Sequence, residues 1–242
     1  MMRSRLLFAF CLVAGAARAQ QVSTAVVPVV GSVFGAAMVR WKTDVEIENA
    51  SPFPAEVVIE LPSVPEAFYG VTLGPGERQR FPDIVGQLFG LDNALSALRV
   101  TSDRRVVVHA NAYAARETEL SPMQPIDVYY GPAFAPFRML DNLAFSDANR
   151  TNIGLVNFGE RDAQFTMALR RIPGRDLAVT FVTVQAGSMI HMSIQSLFPM
   201  ITEGSGFSIL VETSARDTYV YGSVIESETN AARFVSPRVG TQ

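Results

Sequence analysis

The stretch from Lys42 to Leu61 lines up without a gap on the stretch from Arg150 to Leu169, and this internal echo constrains the fold more than any other feature of the chain. Chemistry is kept more than identity. Lys42 pairs with Arg150, Thr43 with Thr151, Asp44 with Asn152, Val45 with Ile153, Ile47 with Leu155, Asn49 with Asn157, Ile59 with Met167 and Leu61 with Leu169. After small gaps Leu73-Gly74-Pro75-Gly76 matches Val184-Gln185-Ala186-Gly187, Leu88-Phe89 matches Leu197-Phe198, and 100–113 matches 211–225. A chain that echoes itself in this way is expected to fold as two copies of one module.

Within the echo the residues alternate. Trp41, Thr43, Val45, Ile47 and Asn49 fall on one side, and Lys42, Asp44, Glu46 and Glu48 on the other. That period of two predicts a strand with one buried face and one solvated face. After the turn at Ser51-Pro52-Phe53-Pro54 a second strand turns Val57, Ile59 and Leu61 inward and Glu56 and Glu60 outward. Gly74-Pro75-Gly76-Glu77 reads as a tight turn, because glycine accepts positive φ and proline pre-sets its own. Pro82 to Phe89 predicts a short helical plug with Val85, Leu88 and Phe89 toward the core. A hairpin around Asp103-Arg104-Arg105 and a leading strand over 22–33 bring the count to about seven strands, the number of an immunoglobulin-like sandwich. The order replays over 151–227, with a second plug over 194–200. The expected fold is therefore all-β, with two tandem immunoglobulin-like β-sandwich domains, 20–116 and 133–242, after a cleaved signal peptide, 1–19. Residues 117–132 are expected to link them, because Ser121-Pro122, Gln124-Pro125 and Gly131-Pro132 interrupt the pattern. The tail from Ser236 is expected to fray.

The signal peptide is read from Met-Met-Arg-Ser-Arg, an apolar run from Leu6 to Gly15, and Ala17-Arg18-Ala19, which supply a basic start, a short apolar centre and a small-residue cleavage site. A spanning helix does not fit, since the run is about ten residues where a span needs about twenty. The single cysteine, Cys11, lies in this leader behind Phe10, where lipoprotein processing requires a small residue. The mature protein then has no disulfide and no thiol chemistry, and is held by its core. Its formal charge, −3 for the whole chain, becomes −3 − 3 = −6 once Arg3, Arg5 and Arg18 leave. Such a balance argues against nucleic acid and anionic lipid as partners.

Candidate chemistry is sparse. His109 and His191 fall at different positions of the echo, aligned with Tyr221 and roughly with Arg80, so they are expected not to form a metal or catalytic pair. Asp147 and Asn149, with Thr151, have the alternating oxygen spacing of a calcium loop but lack its glycine and distal glutamate. They are carried as the candidate metal ligands, against a turn whose Asx side chains bond the backbone. Glu46 and Glu48 are neighbouring carboxylates of the kind glycosidases use, on what reads as a solvated face. Gly204-Ser205-Gly206 reads as a turn and not as a nucleophile elbow. Trp41 falls on the inward parity of its strand, while Tyr129 and Tyr130, in the proline-rich stretch, are the candidate ligand-binding residues because their rings could lie against a sugar. Asn49-Ala50-Ser51 and Asn149-Arg150-Thr151 fit the glycosylation sequon. No catalytic residue and no cofactor is expected.

With Val29-Val30-Gly31-Ser32-Val33, the Trp41–Asn49 strand, Leu73-Gly74-Pro75-Gly76-Glu77, Asp83-Ile84-Val85, Leu88-Phe89-Gly90 and the closing 220–230 strand, the chain resembles tandem β-sandwich modules that recur in secreted proteins of acidobacteria and related bacteria. That resemblance implies fold and compartment, and no activity. The expected function is that of an exported, non-enzymatic binding, adhesion or assembly protein, periplasmic or extracellular, without a membrane span after processing. Its expected partner is an envelope or extracellular protein, a second copy included, engaged through loops and sheet edges. The alternatives are a carbohydrate-binding accessory module with a glycan as ligand, or a two-domain periplasmic chaperone using Arg104-Arg105 or Arg170-Arg171.

Overall fold

The computed structural model describes residues 22–239 apart from 36–38, 65, 117–118, 132–134 and 172–174. The expected signal peptide lies outside the described residues. The fold is all-β. Its first half contains β1 (Ser23–Phe34), β2 (Arg40–Asn49), β3 (Ala55–Glu60), β4 (Phe68–Leu73), β5 (Arg78–Phe81), β6 (Ala94–Ser102), β7 (Val106–Arg116), β8 (Glu119–Leu120), β9 (Gln124–Ile126) and β10 (Tyr129–Tyr130). The second contains β11 (Phe137–Phe145), β12 (Asn149–Asn157), β13 (Ala163–Arg171), β14 (Asp176–Val184), β15 (Ser188–Ser193), the helical turn α1 (Ile194–Leu197), β16 (Gly204–Glu212), β17 (Thr218–Glu226), β18 (Ala232–Val235) and β19 (Arg238–Val239).

All the pairings are antiparallel. In the second half β14-β13-β16-β11-β19 forms one sheet and β15-β12-β17-β18 the other. In the first half the same order appears as β4-β3-β6-β1 with β10 on β1, and as β5 on β2 with β7 and then β9. There the two sheets are joined, because β1 pairs with β6 along most of its length, shifts register between Val27 and Val30, and pairs with β2 at Ser32–Phe34. A bulge of this kind bends a strand and lets it pass from one sheet to the other.

Two expectations fail at the ends of the halves. The segment expected to link them supplies β8, β9 and β10, which pair with β7 and β1. Likewise the tail expected to fray returns as β19 on β11. The physical reason is that prolines exclude only a central strand. Pro125 of β9 pairs with Asn111 of β7, and β9 has no second partner among the described strands, which is an edge position where proline is tolerated.

Alternation places the core as expected in most positions. Val45, Ile47, Val57, Ile59 and Leu61 pack with Leu98 and Val100 in a core drawn from 25–126, while Ile153, Leu155, Phe165, Met167 and Val220 pack in a second core drawn from 140–235. Fully burying one such side chain contributes about 1.5–3 kcal/mol. A third cluster joins the halves. Val26 and Ala97 of the first meet Val156, Tyr219 and Tyr221 of the second, with Arg99 lying 4.5 Å over the ring of Phe158.

The two plugs differ. Ile84–Leu88 is a single π-helical turn that buries Ile84 and Val85, with Leu88 and Phe89 only half-buried. In the second half Ser193 caps α1 by accepting from Ser196 N–H, Leu197 and Phe198 are buried, and Met200 is exposed.

The most faithful correspondence between halves is the buried pair Asn49 and Asn157. Asn49 donates from Nδ2 to the carbonyls of Phe53, Leu73 and Gly74, at 2.7, 2.9 and 3.0 Å, and accepts from Ser51 N–H. Asn157 donates to Arg161, Val184 and Gln185, at 2.8, 3.0 and 3.1 Å, and accepts from Gly159 N–H. Each amide ties the turn that follows its own strand to the turn leaving β4 or β14. Asn49 is thereby committed to the fold, and its sequon is closed to glycan attachment.

Candidate functional site

Three strands set the floor of the site. Gly154 on β12 lies opposite His191 on β15 and Tyr221 on β17. A Cβ at Gly154 would stand 1.9 Å from Tyr221 Cε1, so the glycine is what lets the tyrosine ring lie across its strand. The ring reaches His191, with Oη 2.8 Å from Nδ1, and stacks with Phe234 at an interplanar angle of 14°. In the first half the corresponding row is Arg80, Glu46 and His109. The two histidines therefore occupy different strand positions of matching rows, His191 where Arg80 stands and His109 where Tyr221 stands, as the echo implied.

Burial pushes the Tyr221 hydroxyl far above the ordinary phenol range. The same protein mass pushes His191 below the histidine value of 6.5, to about 4. Its ring is nevertheless exposed, because it borders an open cleft. Solvent reaches it from the cleft side, while burial on the other side disfavours the charged ring.

That cleft, about 300 Å³, runs between the halves. Its floor is the outer face of β15-β12-β17-β18, with Arg150, Asn152 and His191, and the rings of Tyr221 and Phe234; its roof includes Phe34, Trp41 and Lys42 of the first half. Trp41 is thus half-buried at the cleft, against its inward parity. It sits opposite Val33, where β1 is crossing between sheets, and its indole packs over Gly35, whose added Cβ would come within 2.6 Å of Nε1.

Lys42 is braced from behind. Its Nζ lies 2.9 Å from Asp83 Oδ2, and Asp83, held at φ 42, also accepts from Ser32 Oγ. Asp83 N–H in turn donates to Asp44 Oδ1 at 2.9 Å, and Arg80 lies 2.5 Å from Asp44 Oδ2. Asp44 is accordingly buried, which corrects the expectation of a wholly solvated face: the turn after β5 folds back over it. Burial first, and the Asp44 charge second, push the neighbouring Tyr113 up to about 12. Arg150 is placed differently. Its Nη2 donates to Asn230 Oδ1 at 3.2 Å, its Nε is buried without a hydrogen-bond partner, and among the described residues no carboxylate pairs with it.

The other sequence candidates are dispersed. Tyr129 pairs with Val26 and packs 5.4 Å from Tyr219 in the cluster between halves, where burial pushes its hydroxyl up to about 12. Tyr130 is exposed on its ring, with Oη bonded to the backbone of Val108. Asp147 lies in the tight turn between β11 and β12 and Asn149 opens β12, the turn being closed by paired backbone bonds between Ser146 and Asn149, and no group of three or more metal-binding side chains occurs among the described residues. Glu48 pairs with Arg78 at 2.9 Å, and Arg170 with Asp176 at 2.6 Å. Neither of the two arginine pairs lines the cleft.

Sequence reasoning missed the edge of β14. Asp176–Val184 reads Asp-Leu-Ala-Val-Thr-Phe-Val-Thr-Val, nine residues at the end of its sheet. Leu177, Val179 and Phe181 are exposed by 45%, 50% and 66% on one face. The face continues inward through the row Val179, Ala168, Leu210 and Met139. In the first half the matching row is Phe68, Glu60, Arg99 and Val26, with an ion pair of 2.8 Å between Glu60 and Arg99. The available signal was a run rich in β-branched and apolar residues at both parities over 177–184, without proline or lysine.

No helix among the described residues is long and apolar enough to cross a membrane. No family model and no curated protein matches the chain. Among solved structures it aligns with a Bacteroides uniformis beta-glucuronidase 2 covalently bound to cyclophellitol-6-carboxylate aziridine, at 13% identity and a TM-score of 0.19, over 81% of this chain and 24% of that one. A calcium-binding mutant of the Bacteroides uniformis beta-glucuronidase 2 aligns at 10% identity and a TM-score of 0.17, over 86% of this chain and 27% of that one. The chain spans about a quarter of the length of these structures. Likenesses this weak leave its function to be read from its own residues.

Proposed function

We propose that the protein is an exported, non-enzymatic assembly protein of the cell envelope, built from two copies of one sandwich module, which associates with a second copy of itself by antiparallel pairing of β14 with β14. The observation that carries this reading is the unguarded edge. Sheet edges are normally blunted by lysine, proline, a bulge or short length, and a long, flat, apolar edge is a template for another strand. β14 has nine residues, no proline and no lysine; its one register shift against β13 falls at its start, between Asp176 and Ala178, leaving 178–184 regularly paired, and its one charge, Asp176, is at that end and tied to Arg170. A two-fold axis across such a strand satisfies its free backbone groups in both copies and brings Leu177, Val179 and Phe181 of each onto one shared face. That one charge, Asp176, then lies at opposite ends of the pair.

Sedimentation of the mature protein tests this directly. Wild type is expected to be dimeric at micromolar concentration, and Val179→Lys to be monomeric with an unchanged melting temperature, because residue 179 is half exposed. A wild-type monomer throughout, or a dimer indifferent to Val179→Lys, would refute β14 self-pairing. Capture of a single different envelope protein by wild type and not by the variant would move the same edge to another partner.

A further inference from the structure

We infer that the cleft between the halves binds a small organic anion, a carboxylate carried on a flat apolar body. This stands apart from the β14 edge, which lies on the other sheet of the second half.

Charge comes first. The cleft is lined by Lys42 and Arg150 and by no aspartate or glutamate among the described residues. Lys42 is matched from behind by Asp83, but Arg150 has only the amide oxygen of Asn230. A guanidinium at a partly apolar wall without a counter-charge favours an incoming anion. Its planar fork suits a carboxylate, which can take two parallel bonds. The two cations are equivalent positions of the echo, and the way the halves pack brings both to one cleft.

Shape and polarity supply the rest. Phe34, Trp41 and Phe234 offer ring surface, and Asn152, Ser223 and Gln124 offer neutral hydrogen-bonding groups. A largely apolar cleft with a few polar side chains is the usual form of a small-molecule site, and about 300 Å³ is at the small end of the range for such sites. The volume holds one ring and a short acid chain, either as a free acid or as the end group of a longer molecule. His191 does not add a second positive charge at neutral pH, since its surroundings disfavour the protonated ring. The arrangement therefore matches a monoanion.

The single tryptophan of the chain lines the cleft, so its emission reads occupancy without a label. The probes are 3-phenylpropionate and its uncharged amide, 3-phenylpropionamide, titrated against the mature protein at pH 7.5. The acid is expected to shift Trp41 emission saturably, and the amide to bind at least about tenfold more weakly, the loss of one charge-assisted hydrogen bond. Arg150→Gln is expected to abolish that preference while leaving amide binding and the melting curve in place, and Arg150→Lys to restore part of it. Equal binding of acid and amide, an acid preference that survives Arg150→Gln, or no emission change for either probe up to about 10 mM would overturn the inference. If Arg150→Gln fails to fold, the acid-to-amide ratio of the wild-type protein and of Arg150→Lys decides the matter. A polymer bearing the same acid end group that competes with 3-phenylpropionate would place the natural ligand on a longer molecule, and failure to compete would restrict it to free acids.

Discussion

Replacing Asn157 by alanine removes a fully buried amide whose two N–H bonds are shared among three carbonyls and whose oxygen accepts from Gly159. A buried backbone group left without a partner costs about 1–3 kcal/mol. Arg161 and Gln185 lie in exposed turns where water can replace part of the loss, so the net destabilisation expected for Asn157→Ala is about 2–4 kcal/mol. For a chain of this size that is a fall of roughly 5–15 °C in Tm. Asn157→Asp separates the cause from mere loss of volume. Its ionised carboxylate would face three carbonyl oxygens, which raises its folded-state pKa above the unfolded value of about 3.9. A raised pKa means stability that is present at low pH and is lost as pH rises, so Asn157→Asp should fall progressively below Asn157→Ala between about pH 4 and pH 7. The assay is thermal and urea unfolding by circular dichroism, with Asn49→Ala measured beside it and Trp41 fluorescence reporting the first half. A loss under about 1 kcal/mol, the worth of an ordinary exposed bond, or an aspartate variant that tracks alanine at every pH, would refute the reasoning.

Gly154→Ala should destabilise by about 1–3 kcal/mol or more, because the added Cβ overlaps the Tyr221 ring. Combined with Tyr221→Ala it should cost less than the sum of the single variants, and strict additivity in urea midpoints would show that the two residues do not meet. His191 resists protonation in the folded state, so the unfolded chain takes up the proton first; the His191 contribution to stability is lost as pH falls from about 6.5 toward about 4. Urea midpoints for wild type and His191→Gln should converge across that window, and parallel curves would remove burial of the ring as the cause. Phe181→Lys, on the most exposed ring of β14, should raise the concentration needed for association without lowering Tm, and lowered stability would mean that the ring packs within its own chain.

Alternation was sufficient to place Val45, Ile47, Ile59 and their counterparts in the core, since a period of two fixes which face a side chain takes. The echo also picked out Asn49 and Asn157, although only the folded chain reveals that each binds the corresponding pair of turns in its own half. The proline-rich segment was misread because Pro125 is harmless in a strand with one neighbour. Comparison with the end of the chain could have identified it, since Gln124–Ile126 stands where Ala232–Val235 does. Parity put Asp44 outside, and no local pattern announces that Asp83 folds back onto it. The cleft was invisible for a similar reason. Lys42 and Arg150 were aligned on the page, but their meeting depends on how Val26 and Ala97 pack against Val156 and Tyr219, which is a property of the two halves together.

Amide hydrogen exchange along 176–184, followed as a function of protein concentration, reads the β14 edge most directly. Alternate amides of this strand bond to β13, and the others face outward from the sheet. If β14 pairs with β14 of a second copy, the outward amides should become protected as concentration rises, while those along β4, the corresponding edge of the first half, stay unchanged. Outward β14 amides that exchange at the same fast rate from micromolar to about 1 mM would contradict assembly through this edge.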